Sequence, residues 1–431
     1  MKNRPRVLLG LVLSLPGLLQ ASDQIPGKAQ QGPIAVVGAT IHPVTGPVME
    51  GGTILFDGGK IVALGASVSL PEGTERIDGT GRHVYPGLIS ADTYLGLTEI
   101  GAVRASNDRT ETGRINPNVR AETAFNPESE LIPVSRANGI LTAVSSPAGG
   151  LISGTGAMML MDGWTWEEMT FTSPAALYVS WPSMTINRAP WVRQTEEEQK
   201  KQRDQSLQEL TGAFADARAY GRAKAAGRTD IDLRWESMIP VLEGKVPVVI
   251  RADEAEQIQA AVAWAERESL RIIIAGGHDA WRVASLLKAK NIPVLAGGIH
   301  RLPSRRFEAY DEPFVLPKKL YDAGIPFAII SDGDAAHERS LPYHAATAAA
   351  YGLPRDEALR ALTINPAQIF GVADRIGSLE PGKDATLIVT TGDPLEIRSQ
   401  VEVAFIQGRR VDLSSRHTML YEKYREKYRR K

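Results

Sequence analysis

The chain has 431 residues, with 49 Lys and Arg against 50 Asp and Glu, and it contains no cysteine. Because 43% of its residues are apolar, it can bury a sizeable core, which excludes a largely disordered protein. The net charge of −1 argues against a protein that binds nucleic acid through bulk positive charge. The absence of cysteine excludes a disulfide scaffold, a thiol nucleophile and a Cys-ligated metal site.

The N-terminal residues resemble a secretory signal. Basic residues at positions 2, 4 and 6 precede an apolar run over 7–19, and the small residue Ala21 follows. We therefore predict that residues 1–21 are a signal peptide and that the protein is periplasmic or secreted. The alternative is an uncleaved anchor, although the run is short for a span and Pro16 interrupts it. After signal removal we expect no integral membrane association.

Short β-rich runs occur near both ends of the chain. A polar linker is predicted over 22–33, a first β-rich segment over 34–85 and a second over 366–413. Two such segments can pair across a long insertion. We therefore predict that they form one small β-sandwich, with residues 86–365 inserted between its halves.

The inserted region alternates apolar strand runs with helical patterns. Strands are predicted at 84–89, 139–144, 246–250, 271–275, 292–295 and 325–330, and helices at 254–269 and 280–290. This alternation predicts the α/β class and a distorted TIM-type (β/α)8 barrel with parallel strands. The alternative, an open doubly wound sheet, is disfavoured because no GxGxxG opens a helix after a first strand.

Two further segments have a helical pattern. Residues 194–228 are charged and rich in alanine, which predicts a long surface helix. The charged tail 414–431 carries Tyr421, Tyr424 and Tyr428 at helical spacing. We predict that this aromatic stripe docks the tail helix onto the protein; the alternative is a membrane role.

A polar loop follows the predicted strand end at Tyr94. It contains Asn107 and Arg109, and a glycine-rich run over 147–156 follows the next strand. Loops after barrel strands usually carry the functional site, so we predict that Tyr94, Asn107 and Arg109 bind substrate. The alternatives are a solvated lid and, for the glycine run, a phosphate cradle; the run lacks the Lys-Ser/Thr of a P-loop.

Several motifs resemble those of the amidohydrolase superfamily, and the imidazolonepropionase-like branch is the most similar. They are DGGKI at 57–61, GTGRHVYPGLI at 79–89, NPA at 365–367, GV at 371–372 and GSLEPGKDA at 377–385. Together they frame nearly all of the chain beyond the signal. The resemblance implies the barrel, the sandwich and metal-assisted hydrolysis of a C–N bond, usually in an amide, a cyclic amide or a dipeptide.

The metal ligands that this resemblance implies are mostly replaced. Asp92 and Tyr94 stand where the family has its first histidine pair. Arg251 and Gly276 stand where two later strands should each deliver a histidine, and His278 follows two residues on. Arg251 would place a fixed positive charge where a metal should sit.

The final carboxylate of the family pattern is retained as Asp332. The resemblance implies that Asp332 is the general base. From the residues themselves, we predict Arg251 and His278 as further catalytic groups and Asp334 as a substrate-binding group. Asp92 and Asp332 are the predicted ligands of a degenerate divalent metal site for Zn, Mg or Mn, and no organic cofactor is expected.

Three interpretations stay open at this point. The protein is a hydrolase of C–N bonds with an atypical site, in which Asp332 acts with a metal or with Arg251 alone. The second is an inactive barrel that binds a ligand or a partner. In the third, the middle strands align differently and His300, His337 or His344 supplies the site. We expect a small-molecule substrate, no nucleic acid and a possible homo-oligomer.

Overall fold

The structure is a computed structural model that describes residues 24–331 and 335–430. The predicted signal peptide, Asp332 and Asp334 lie outside the described residues. The strands are β1 (Ile34–Ile41), β2 (Met49–Asp57), β3 (Lys60–Gly65), β4 (Glu75–Asp78), β5 (His83–Pro86), β6 (Leu88–Thr93), β7 (Ile140–Ser145), β8 (Ile152–Leu160), β9 (Thr170–Ser180), β10 (Val248–Ala252), β11 (Ile272–Gly276), β12 (Val294–Ala296), β13 (Phe327–Ile329), β14 (Leu387–Thr390), β15 (Val401–Ile406) and β16 (Arg409–Arg410).

The helices lie mainly between and after the barrel strands. They are α1 (Leu131–Arg136), α2 (Trp166–Met169), α3 (Glu196–Ala225), α4 (Leu233–Glu236), α5 (Ile239–Leu242), α6 (Ala255–Arg267), α7 (Ala284–Ala289), α8 (Glu312–Ala323), α9 (Leu341–Ala350), α10 (Arg355–Arg360), α11 (Ile364–Ile369) and α12 (Arg416–Arg429). Short 3₁₀ helices occur at Arg104–Ser106, Ala121–Ala124, Ala280–Val283 and Ala335–Ser340.

Strands from the two ends of the chain share one sheet. Its order is β16-β15-β14-β5-β1-β2-β3, and β4 pairs with β1. The join is the antiparallel pair of β5 and β14, in which Tyr85 lies opposite Ile388. Because these strands form a single hydrogen-bonded sheet over its own apolar core, the predicted two-sheet sandwich is not confirmed.

The second sheet is a nearly closed barrel in the order β6 to β13. Its first and last strands are bridged by the backbone of residues 361–362. The Ile89 amide donates to the Leu362 carbonyl at 2.8 Å, and the Ile329 amide donates to the Ala361 carbonyl at 3.1 Å. The C-terminal ends of the parallel strands therefore meet at one rim, which we call the barrel mouth.

One strand of the barrel runs against the predicted direction. β8 pairs antiparallel with both β7 and β9. The connections between these strands are short, and antiparallel neighbours need no crossover helix. The prediction of an all-parallel barrel is therefore wrong at β8, which includes part of the glycine run that we expected to be a loop. Gly156 is required there, since a Cβ would lie 2.6 Å from Cε2 of Tyr178.

Gly87 separates the two sheets. The sequence predicts one strand over 84–89, but β5 ends at Pro86 in the terminal sheet and β6 begins at Leu88 in the barrel. A Cβ on Gly87 would lie 2.8 Å from Cδ1 of Leu141. The chain passes between the two sheets at a position with no room for a larger residue.

The two long helical predictions have different outcomes. α3 begins with a capping box at Thr195 and buries Leu210, Phe214 and Ala217. In α12, by contrast, no residue is buried. The prediction that its tyrosine stripe docks onto the protein is wrong, because a helical period identifies a face without identifying what covers it. Of the helices in the described ranges, none is long and apolar enough to cross a membrane.

A buried ion pair connects the barrel with both ends of the described chain. Arg136 and Asp162 are 5% and 3% exposed, and Nη1 lies 3.1 Å from Oδ1. Arg136 Nε also donates to the Asp412 carbonyl at 2.9 Å, and Nη2 donates to the Gln24 side chain. The Gly27 amide donates to Asp162 at 3.0 Å.

We predict that Arg136→Met destabilises the protein by about 3–5 kcal/mol, because it leaves the buried Asp162 carboxylate with only the more distant Arg409, 3.9 Å away, as a charged partner. The change is measured as the free energy of unfolding in urea. Arg188→Met is the matched control, since its ion pair with Glu196 is largely exposed. Equal unfolding midpoints for the two variants would contradict this role of Arg136.

Candidate active site

The predicted site residues of β6 and β10 meet at the barrel mouth. Asp92 lies at the end of β6 and Tyr94 follows it, while Arg251 lies near the end of β10. In the sheet register, Arg251 lies beside Ser180 of β9 and Ala275 of β11. Since side chains from different strand ends converge at a barrel mouth, these residues contact one another although they are far apart in sequence.

The guanidinium of Arg251 is the centre of this cluster. Its Nη2 lies 3.3 Å from Asp92 Oδ1 and donates to Ser146 Oγ at 2.9 Å, while Nη1 donates to the Tyr94 hydroxyl at 2.5 Å. Ser146 in turn donates to the same Asp92 oxygen. The Arg251 side chain is 26% exposed and that of Asp92 is 6% exposed. The ion pair is thus mostly buried, and part of the Arg251 side chain remains exposed.

Two aromatic rings, one after β6 and one in β9, pack against the same guanidinium. Its carbon lies 5.5 Å from the ring centroid of Tyr94 and 5.4 Å from that of Tyr178, within the range of cation–π attraction. Arg109 lies 4.8 Å from the centroid of Tyr94. Burial disfavours the charged form of Arg251, but Asp92 and the two tyrosines outweigh it and raise the pKa. Arg251 is therefore a permanent cation with a fixed orientation.

Glu338 is a site residue that the sequence analysis missed. It lies in the 3₁₀ helix after the last barrel strand, and its side chain is fully buried. Its Oε2 accepts a hydrogen bond from Ser331 Oγ at 2.5 Å. Burial, with a contribution from the Asp92 charge, raises the pKa of Glu338 to about 7. One signal was available in the sequence. Glu338 lies in the connection after the last barrel strand, and a position after that strand was also a reason for selecting Asp332.

A second polar cluster lies at the ends of β10 and β11. His278 Nδ1 lies 3.4 Å from Asp253 Oδ1. Burial lowers the pKa of His278 and raises that of Asp253. Gly298 allows this packing, because a Cβ there would lie 2.8 Å from His278 Nε2 and 2.7 Å from Arg301 Cδ. The cluster presents a neutral imidazole beside a carboxyl group, and the sequence analysis missed both Asp253 and Arg301.

The other predicted residues have different surroundings. Asn107 lies in its own loop, where Thr98 Oγ1 donates to Asn107 Oδ1 at 3.3 Å. His300 and His344 pack against each other with ring centroids 4.0 Å apart. His337 lies in the same 3₁₀ helix as Glu338.

Two cavities lie at opposite ends of the barrel. The larger, of about 560 Å³, is lined by residues that precede strands, including Pro247, Pro293 and Pro326. A smaller cavity of about 360 Å³ lies at the C-terminal end of β9, beside α3, and is lined by Ser180 and Trp181 among others. We place the candidate site at the mouth despite the larger cavity below, because the charged cluster is there and barrels keep their sites there.

The described residues do not fit a divalent metal at Asp92. Within residues 24–331 and 335–430, no three His, Asp or Glu side chains form a group that could hold a metal ion. Asp92 Oδ1 already accepts from Ser146 and pairs with Arg251. A guanidinium does not lose its proton, so its charge opposes a second cation there.

Known proteins resemble this chain over different lengths. The model of the Amidohydrolase family matches residues 315–413. An imidazolonepropionase from Porphyromonas gingivalis is 44% identical over 75 residues, which are 17% of this chain and 18% of that protein. The crystal structure of an amidohydrolase from Thermotoga maritima superimposes with a TM-score of 0.78 at 28% identity, covering 88% of this chain and 99% of that one. The chain belongs to the amidohydrolase superfamily.

The curated relatives are covered only in part. The amidohydrolase tasK of Hapsidospora irregularis is 21% identical over 83% of this chain, but the match covers 39% of that protein. The superfamily resemblance expected from the motifs is thus confirmed, and divalent metals are typical of the family. The mouth of this amidohydrolase-type barrel has an arginine–aspartate pair in its described part.

The raised pKa of Glu338 gives a pH prediction. A carboxyl group whose pKa rises on folding binds more protons in the native state, so its contribution destabilises the native state as pH rises from about 4.5 to about 7. We predict that Glu338→Gln removes this loss and is more stable than the wild type above pH 7, by on the order of a few kcal/mol. Urea unfolding across this pH range measures the difference. The exposed control Glu256→Gln should keep the wild-type pH dependence, and parallel curves for Glu338→Gln and the wild type would contradict the prediction.

Proposed function

We propose that this protein is an exported hydrolase that cleaves a C–N bond in a small molecule, either a non-peptide amide, a cyclic amide or a small peptide. The observation that carries the proposal is the guanidinium of Arg251. It is anchored by Asp92 and Tyr94 at the barrel mouth, and the Arg251 side chain as a whole is 26% exposed. Superfamily membership supports the hydrolase class, and the N-terminal sequence pattern supports export.

In this proposal Arg251 stabilises the charge that develops on the carbonyl oxygen. Attack of water on an amide carbon moves negative charge onto that oxygen. A positive group that is fixed before the reaction stabilises such charge without reorganisation. The contacts of Arg251 with Asp92, Ser146 and Tyr94 provide this preorganisation. We propose no metal ion at Asp92 and derive no step from one.

Two groups are proposed as proton acceptors. Asp332, which lies outside the described residues, is the proposed general base. His278 is the second candidate, because its lowered pKa keeps the imidazole neutral near pH 7 and Asp253 lies beside its Nδ1. Either group would take a proton from the attacking water and return it to the leaving nitrogen.

Tyr94, Asn107, Arg109 and Asp334 are the proposed substrate-binding residues. Arg109 is half-buried on the ring of Tyr94 and has no carboxylate within salt-bridge distance in the described part of the chain. Its charge is therefore available to a polar or anionic group of the substrate. Asp334 lies outside the described residues.

We predict that Arg251→Met lowers kcat/KM by about 10²- to 10³-fold, the usual loss when one oxyanion donor is removed. Arg251→Lys should lose less, since it retains the charge without the fork of donors. The assay follows product release from dipeptides, cyclic amides and simple amides by mass spectrometry, with circular dichroism as the folding control. An unchanged rate in a folded Arg251→Met protein would refute the role of Arg251.

The His278 assignment predicts the acid limb of the pH profile. Since the base must be unprotonated and its pKa is lowered, kcat/KM should fall only below about pH 6.5 and stay level above it. His278→Gln should remove this limb and lower the rate. If the acid limb persists in the His278→Gln variant, the general base is another group, and Asp332 is then the first candidate.

Ligand binding without turnover is the second candidate function. The contacts of Asp92 favour it, because Asp92 Oδ1 already pairs with Arg251 and accepts a hydrogen bond from Ser146. Calorimetry on the same compounds separates the two functions. A compound that binds, loses affinity in Arg251→Met and yields no product with the wild type would establish a binding protein instead of a hydrolase.

A further inference from the structure

The C-terminal helix α12 exposes an aromatic face to solvent. Tyr421, Tyr424 and Tyr428 are 63%, 47% and 65% exposed, and Leu420 is 41% exposed. The helix begins with a capping box formed by Ser415 and Thr418. The helix α12 thus has a defined N-terminus, and its aromatic face does not pack into the core.

The side chains of α12 are sorted around its axis. Successive residues turn by about 100°, so Leu420 and the three tyrosines fall within an arc of about 100°. Basic residues flank this arc on both sides, and the two glutamates lie on the opposite side of the helix. The flanking residues are Lys423 and Lys427 on one side and Arg425 and Arg429 on the other, and the glutamates are Glu422 and Glu426.

Contacts within the helix agree with this arrangement. Lys427 Nζ lies 5.7 Å from the ring centroids of both Tyr424 and Tyr428, and the Arg425 guanidinium lies 5.6 Å from that of Tyr421. The cations therefore lie along the edges of the aromatic face. Their alkyl chains can extend beside the rings while the charged groups point past them.

The charge of the tail differs from that of the rest of the chain. Residues 414–431 contain seven Lys and Arg against two Glu, a net charge of +5. The remaining residues contain 42 Lys and Arg against 48 Asp and Glu, a net charge of −6. An anionic surface would attract the tail and repel the rest of the protein, so the two charges would orient the molecule with α12 toward that surface.

We propose that α12 binds the protein peripherally to an anionic phospholipid surface. The phenol rings would lie at headgroup depth, where tyrosine is favoured, and the flanking Lys and Arg would contact lipid phosphates. A second copy of this chain is a poorer occupant of the face. A symmetric contact would place two tails of +5 against each other, and like charges repel.

The test is co-sedimentation of the full chain with vesicles of phosphatidylcholine alone or mixed with phosphatidylglycerol. We expect binding to the mixed vesicles that falls steeply with added salt, and little binding to phosphatidylcholine. Replacing the four flanking residues Lys423, Arg425, Lys427 and Arg429 by Gln should weaken binding at least about 100-fold. The matched control replaces four exposed basic residues in and after α3, namely Lys200, Lys201, Arg222 and Arg228, and should change binding less than about threefold.

The outcomes separate the possible occupants of the helix face. Tyr421→Ala with Tyr424→Ala should reduce affinity while the salt dependence remains, since only the aromatic contribution is removed. Equal binding to both vesicle types, or equal losses in the tail and α3 variants, overturns the proposal. So does a wild-type dimer in light scattering that the tail variant converts to a monomer without any effect on vesicle binding. An unchanged unfolding midpoint is the folding control for each variant.

Discussion

The ion pair between Arg251 and Asp92 is the constraint on which the barrel mouth depends. Asp92 is 6% exposed, so its negative charge needs a partner within the protein. Arg251 supplies it, and the hydrogen bonds to Ser146 and Tyr94 fix the guanidinium between two tyrosine rings. Burial, with a contribution from this negative charge, raises the pKa of Glu338 to about 7. Residues at or near the C-terminal ends of β6, β7, β9 and β10 are thus connected through this ion pair.

The pair also determines which chemical groups the described part of the barrel mouth presents. A neutral imidazole can donate an electron pair to a metal, whereas a guanidinium is a permanent cation that has no electron pair to donate. In the described part of the mouth, Arg251 places a fixed positive charge beside Asp92 and offers hydrogen-bond donors. The charge that would stabilise an oxyanion is then part of the polypeptide, and its position depends on packing around Tyr94 and Tyr178.

The residues of the site differ in how far they could be predicted. Asp92, Tyr94 and Arg251 were found because each lies at or just after the end of a clear apolar strand, and the family motif at 79–89 set the positions of Asp92 and Tyr94. Glu338 and Ser146 were not found, because a carboxyl or hydroxyl in a connection has no periodic pattern. Asp253 was missed for a similar reason, since its role beside His278 depends on the adjacency of β10 and β11.

The sequence by itself determined the superfamily, the terminal β segments, the barrel strands of 246–330 and the long helix α3. These features depend on local patterns and short motifs, which can be recognised in the sequence without knowledge of the fold. Only the tertiary structure decided that β8 runs antiparallel, that the terminal strands share one sheet, that the tyrosine face of α12 is exposed and that Arg251 reaches Asp92. Strand direction, burial of a face and contact between distant side chains depend on how the elements pack, because the same local pattern is compatible with more than one neighbour.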